Sequence, residues 1–268
     1  MERGVKLLLA AMGLFILFIF FGGYFTAHSP YALGKDAILL PPSFEHLFGT
    51  DRLGRDVFAR VIEGGKTSLM IGVGSAVIGT FIGLMVGISA GYFKHKTDKT
   101  IVIIIDLFLT FPTFFLLLAL VSYVEASSLV LIVVISITGW MGTARMIRSE
   151  SFGIGNRPFI KVLKLADVSV WKILLKYYTP LIAPIFLISF TFGVSGAILA
   201  ESGLSFLGLG VMPPQMSWGS MLSEGKEVMD IAWWVSFFPG LFIFLISWML
   251  IQTSDYLQKL FNQKENAL

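Results

Sequence analysis

Leu69 to Phe93 reads Leu-Met-Ile-Gly-Val-Gly-Ser-Ala-Val-Ile-Gly-Thr-Phe-Ile-Gly-Leu-Met-Val-Gly-Ile-Ser-Ala-Gly-Tyr-Phe, and no Asp, Glu, Lys or Arg interrupts it. Crossing the ~30 Å hydrocarbon core takes about 20 such residues, so this stretch is long enough to span a bilayer. Its apolar character is continuous rather than alternating. In hydrocarbon only helices and closed barrels satisfy the backbone, and a continuous run means a helix. Five more runs behave the same way, at about Leu7 to Phe25, Ile101 to Tyr123, Leu129 to Met146, Leu181 to Leu199 and Trp233 to Thr253, with Lys and Arg only near their ends. The expected fold is an all-α polytopic membrane protein, a single domain over 1–268 with six transmembrane helices.

The whole chain agrees with that reading. Of 268 residues 56% are hydrophobic and 14% charged, with a mean hydropathy of +0.82, which leaves no room for a separate soluble domain. The net charge of +3 is too small and too scattered for nucleic-acid binding. No cysteine is present, which excludes a disulfide framework, a thiolate metal site and a cysteine nucleophile. The first run is too long for a signal-peptide core of about 7 to 15 residues, and Tyr24-Phe25-Thr26-Ala27 makes a poor cleavage site. It is read as a retained helix.

Orientation follows from the basic residues, which are kept on the cytoplasmic side. With the amino terminus inside, fourteen Lys and Arg fall on that side, seven of them between Arg145 and Lys176, against six outside. Both termini are then cytoplasmic. The expected extracytoplasmic loops are 28–67 and 201–232, and the substantial cytoplasmic loop is 147–180.

Span two repeats a small residue at every fourth position, Gly79, Gly83, Gly87 and Gly91, with Ser75 one step earlier. Helices in lipid associate through such close backbone approach, so the seam predicts a helix contact, within the chain or with a second membrane subunit. The inside loop is also patterned. Arg157, Lys161, Lys164, Lys172 and Lys176 recur at helical steps between apolar residues, an amphipathic pattern, and Asp167 or Ser169 can cap a second short helix near Val170. From the residues alone two readings stand: helices on lipid headgroups, or an apolar face docked into a cytoplasmic partner.

Signs of catalysis are weak. Gly64-Gly65-Lys66-Thr67 looks like the tail of a phosphate-binding loop, but the required earlier glycine is Arg60. His28, His46 and His95 are scattered and read as separate loop residues, so no metal site is expected. Asp106 is the clear carboxylate inside a run, and Glu201 beside Ser202 sits at the outer end of span five. Intramembrane ionisable groups are candidates for function. Pro112 should kink span three next to Thr110, suiting a cavity wall as well as a bundle core. Asp106, Thr110, Pro112, Glu201 and Ser202 are the candidate pathway or gating residues.

Two segments carry more than composition. His46-Leu-Phe-Gly-Thr-Asp-Arg-Leu-Gly-Arg-Asp-Val-Phe-Ala-Arg60 and Leu204-Ser-Phe-Leu-Gly-Leu-Gly-Val-Met-Pro-Pro214, followed by Ser217-Trp218-Gly219, resemble the membrane subunits of bacterial dipeptide, oligopeptide and nickel ABC importers, specifically the second permease of each pair. The resemblance implies the type I ABC importer permease fold. It also implies assembly in the cytoplasmic (inner) membrane with a second homologous permease, two cytoplasmic ATPase subunits that bind ATP and Mg, and an extracytoplasmic substrate-binding protein. This chain itself would bind no cofactor and catalyse no reaction. In this superfamily the inside loop docks into an ATPase, and its motif of an alanine pair, a glycine and a downstream proline falls here on Val162 and Leu163, Asp167 and Pro180. The implied coupling residues are Phe159, Ile160, Val162, Leu163, Leu165, Ala166, Asp167, Trp171 and Ile173. The implied function is peptide import. Nickel or nickel-chelate uptake is the alternative within the family, and an ion-gradient-driven secondary transporter is the alternative outside it, though the chain shows neither a repeat nor a midplane charge pair.

Overall fold

The computed structural model describes residues 2–265, with side chains from Gly4 to Phe261. Ten α-helices follow in order: α1 (Glu2–Phe21), α2 (Val57–Phe93), α3 (His95–Thr110), α4 (Thr113–Val121), α5 (Ser128–Asn156), α6 (Pro158–Leu165), α7 (Val170–Ile173), α8 (Thr179–Phe206), α9 (Trp218–Lys226) and α10 (Trp234–Glu265). Among the described residues the strand-like pairing is a single bridge between Thr50 and Asp56.

Five helical runs are long and apolar enough to cross a membrane: Gly4–Phe25, Val57–Phe93, Ser128–Asn156, Val170–Phe206 and Trp234–Phe261. A sixth is a broken pair, α3 and α4, which meet at 80°. The kink expected at Pro112 is therefore a full break. Proline removes a backbone donor and pushes the residue before it out of the helical region; Phe111 is extended, with ψ 134°.

Three boundaries differ from the hydropathy reading. Helix α2 begins at Val57 instead of Leu69, because the Asp56 carboxylate caps it by accepting the Ala59 N–H at 2.8 Å. Residues 57–68 carry Arg60, Glu63 and Lys66, which hid the helix from a hydropathy window. Helix α5 runs on to Asn156, and α7 passes through a π-turn, Leu174–Tyr178, straight into α8. Pro180 supplies no N–H at the start of α8, and within the wider turn the Thr179 hydroxyl donates to the Leu174 carbonyl at 3.0 Å. The segment after α8 holds a helix of its own, α9.

Helix α2 is central. Helix α5 runs alongside it in the same direction, since Gly79 faces Ser136, Gly87 faces Ala144 and Ile147, and Gly91 faces Ser151. A Cβ on Gly83 would meet Thr143 Cβ at 2.7 Å, and one on Gly87 would meet the Ala144 carbonyl at 2.8 Å. The glycine seam thus lets two helix backbones touch within the chain. Helix α8 packs antiparallel on another face, with Gly72 against Ile198 and Val194 and Gly193 against Ala76. Ile19, Trp218, Phe242 and Ile246 join α1, α9 and α10 to the same core. One end of the bundle carries Lys94, Lys96, Lys99 and α6–α7 and is called the basic end below. The opposite end carries residues 26–56 and α9.

Candidate functional site

At the basic end, α6 and α7 pack against α2, α5 and α8. Ile160 and Ile173 are fully buried, in one cluster with Ile88, Tyr92, Ile147, Ile154, Tyr178 and Ile182, and Leu163 packs against it. Of the nine residues singled out in this loop, Ile160 and Ile173 are therefore anchors turned inward. Val162, Leu165, Ala166, Asp167 and Trp171 are exposed, Leu165 at 85% and Trp171 at 74%, as is Phe159, whose ring lies 6.2 Å from that of Tyr177. Two large apolar side chains thus stand out of a surface that is fixed from below.

The turn between the two helices is closed by its backbone. Asp167 takes a left-handed φ of +51°, its N–H donates to the Lys164 carbonyl at 3.3 Å, and the Val168 N–H donates to the Leu163 carbonyl at 3.1 Å. This is the paired helix-ending pattern that glycine usually supplies, here adopted by an aspartate. Helix α7 starts at Val170, but the Ser169 side chain makes no cap bond. Lys164 Nζ lies 4.0 Å from the centre of the Tyr92 ring, and burial together with the nearby Lys94 charge pushes its pKa down.

A second feature lies between the helices. Ser75, Thr80, Thr113, Thr138 and Thr143, with Gly79, Gly139, Gly193 and Gly196, line a cavity of about 180 Å³ bounded by α2, α4, α5 and α8. Just toward the basic end, Arg145 Nη2 on α5 donates to Asp106 Oδ1 on α3 at 2.5 Å. Both side chains are open, Arg145 at 56% and Asp106 at 58%. Thr110 spends its hydroxyl on the Asp106 backbone carbonyl at 2.8 Å. Of the five pathway candidates, Asp106, Thr110 and Pro112 share this side of the molecule. Glu201 and Ser202 do not.

Glu201 is fully buried at the other end of α8. Its Oε1 accepts from the Ser205 and Ser217 hydroxyls, both at 2.6 Å, and its Oε2 from Ser68 at 3.4 Å. The Ser68 hydroxyl in turn accepts the Trp218 N–H at 3.1 Å. Glu201 therefore ties α2, α8 and α9 together. The Gly64-Gly65 pair serves the same joint, since a Cβ on Gly65 would meet the Trp218 ring at 2.7 Å; the fragment lies inside a helix and cradles no phosphate.

The long motif before α2 also resolves into joints. Asp51 Oδ1 accepts the Leu53 and Arg55 N–H groups, and Oδ2 accepts Arg55 Nε at 2.7 Å and Arg60 Nη1 at 2.5 Å. Arg55 and Arg60 both reach across to Glu224 on α9 at 2.9 and 3.0 Å. His46 Nδ1 lies 2.9 Å from Asp56 Oδ2, and the His28 ring stands 4.7 Å from that of His46. The sequence reading kept these histidines apart. The fold sets His28, His46 and Asp56 with one donor atom each within 4.8 Å, and both Asp56 oxygens are already engaged. No spacing rule reaches from 46 to 224; only the density of Asp and Arg between 51 and 60 hinted at a network.

A bundle of five long apolar helices and one broken pair, with a helical seat at one end, has the fold of an ABC transporter membrane subunit. It matches a chain of the MetNI methionine ABC transporter, solved in inward-facing conformations, with a TM-score of 0.58 at 16% identity over 75% of this chain and 96% of that one. Residues 67–266 match the family described as "Binding-protein-dependent transport system inner membrane component", and the chain belongs to that family. The dipeptide transport system permease protein DppC of Bacillus subtilis is 35% identical over 96% of this chain and 82% of its own length. The oligopeptide transport system permease protein OppC of Mycobacterium bovis is 34% identical over 89% and 84%.

Proposed function

We propose that the chain is one permease of an ATP-driven peptide importer in the bacterial cytoplasmic membrane. A second related permease completes the pathway, two ATPases that hold ATP and Mg sit at the basic end, and a substrate-binding protein docks at the other. The observation that carries this reading is the α6–α7 seat: apolar side chains held out of a basic surface by buried Ile160 and Ile173. A helix presenting such a face suits a groove in a partner. The names of the relatives support peptides as cargo. The excess of Lys and Arg at the basic end supports its placement in the cytoplasm, with both termini on that side.

On this reading the chain performs no chemistry. ATP-driven closure of the partner subunits pushes on α6–α7, and the push reaches α2, α5 and α8 through the isoleucine cluster beneath. The threonine- and glycine-lined cavity and the open side of α3 and α5 form this chain's half of the route. The test compares the exposed and buried faces of α6 and α7. Leu165→Asp and Trp171→Asp should leave the chain folded in the membrane but release the ATPase in a co-purification, with substrate-stimulated hydrolysis lost. Ile160→Asp buries a charge and should lower the yield of the chain itself. Full ATPase retention and transport in both exposed-face variants would overturn the coupling assignment.

A further inference from the structure

The Asp106–Arg145 pair is out of place for a lipid-facing surface. Its Nη2–Oδ1 distance is 2.5 Å and both side chains are more than half open. Arg145 sits on α5 next to Ala144, which faces Gly87 of α2, about 9 Å inside the end of α2 at Phe93 by the ~1.5 Å rise per residue. The pair therefore lies at the inner ends of the apolar runs Ile101 to Tyr123 and Leu129 to Met146, to which Asp106 and Arg145 belong. Charged side chains at such a depth face a bundle interior or a water-filled cavity, and this pair is not in the interior of its own chain.

On α5 the exposed positions flanking Arg145 are Gly142, Met146 and Ser149, and a Cβ built on Gly139 or Gly142 meets nothing within 4 Å. Open helix backbone thus adjoins the pair on α5, while Ile103 and Leu107 stand exposed beside Asp106 on α3. The threonine-lined cavity opens a turn away, at Thr138 and Thr143. We propose that Asp106 and Arg145 line the inner part of the water-filled route and act as a charge-discriminating pair toward the charged groups of the passing peptide. This rests on the peptide-import reading for the identity of the cargo, but not for the presence of water.

A carboxylate and a guanidinium held side by side present no net charge, so acidic and basic solutes pass on similar terms. Removing one leaves the other to act alone. The test uses the assembled importer in proteoliposomes and the natural absence of cysteine. Gly142→Cys adds a thiol where a side chain has room, and its rate of modification by anionic and by cationic membrane-impermeant thiosulfonates is measured. Asp106→Asn should raise the anionic-to-cationic rate ratio by about threefold or more, and Arg145→Gln should lower it by a similar factor, as expected for one nearby charge in a wet site. Uptake of a glutamate-containing against a lysine-containing dipeptide should shift the same way. Leu14→Cys on the apolar outside of α1 should not react.

An unreactive Gly142→Cys, or a rate ratio indifferent to both substitutions, would overturn the proposal. So would loss of assembly in each single variant with recovery in Asp106→Arg/Arg145→Asp, which would mark the pair as an interface contact. Charge-dependent labelling without any peptide uptake by the unaltered importer would instead overturn peptides as the cargo and leave the lining role standing.

Discussion

Asp167 carries a φ of +51° at the end of α6, where a side chain is strained and a carboxylate faces the negative end of the helix dipole. Asp167→Gly relieves both and should stabilise the turn by about 1 kcal/mol. The effect is local, so the measurement is hydrogen exchange: the Asp167 and Val168 amides, whose bonds to Lys164 and Leu163 close the turn, should exchange more slowly in the variant. Faster exchange would show that the carboxylate is needed there. The reading of this position illustrates a limit of sequence. Laying the family's glycine on Asp167 located the turn, but whether aspartate would bend the chain elsewhere depended on bonds from residues 167 and 168 that no residue type announces.

Among the elements, α2 and α5 give the sharpest comparison. Leucine at Gly87 would force four carbons against the Ala144 carbonyl and Ile147, both under 3.0 Å from a bare Cβ. Overpacking a close contact costs roughly 1 to 3 kcal/mol or more. Leucine at Val77, half-exposed on the same helix, adds one methylene to an open face. Membrane-inserted yield and thermal stability should fall for Gly87→Leu and hold for Val77→Leu; equal behaviour would mean that the two helices can part without loss. The seam was legible because its period matches the helix and glycine has few other uses in hydrocarbon. The first twelve residues of α2 were not, because their polar face lowers the hydropathy that defined the span. The α3–α4 break was half legible: proline predicts a disturbance, while no residue type announces its 80° size.

Across the whole molecule, the cap at the end opposite the basic one joins parts of the chain more than 160 residues apart. Arg60 is 2% exposed and bridges Asp51 to Glu224, so Arg60→Leu leaves a buried carboxylate short of its partner, a loss of roughly 3 kcal/mol or more. Arg52 pairs with Glu227 in the open, and Arg52→Leu should cost about 1 kcal/mol or less. Limited proteolysis between residues 26 and 56 reads the difference, with rapid cutting expected for the first variant and ordinary resistance for the second. Equal resistance would show that the loop is held by its apolar contacts alone. Long-range closure of this kind is the part of the fold that sequence hides, since Arg55 and Arg60 meet Glu224 only once α9 is folded back.

Helix α2 touches both ends of this machine. It is 37 residues long, about 55 Å at ~1.5 Å per residue, with no proline along its length. Near one end Ile88 and Tyr92 rest on the α6–α7 seat; at the other Arg60, Val61 and Ser68 hold α9 and its loop. A rod gripped at both ends has no slack. On the proposed coupling, whatever tilts the seat tilts the far cap with it, so the two ends keep time through one continuous lever instead of exchanging signals through a relay.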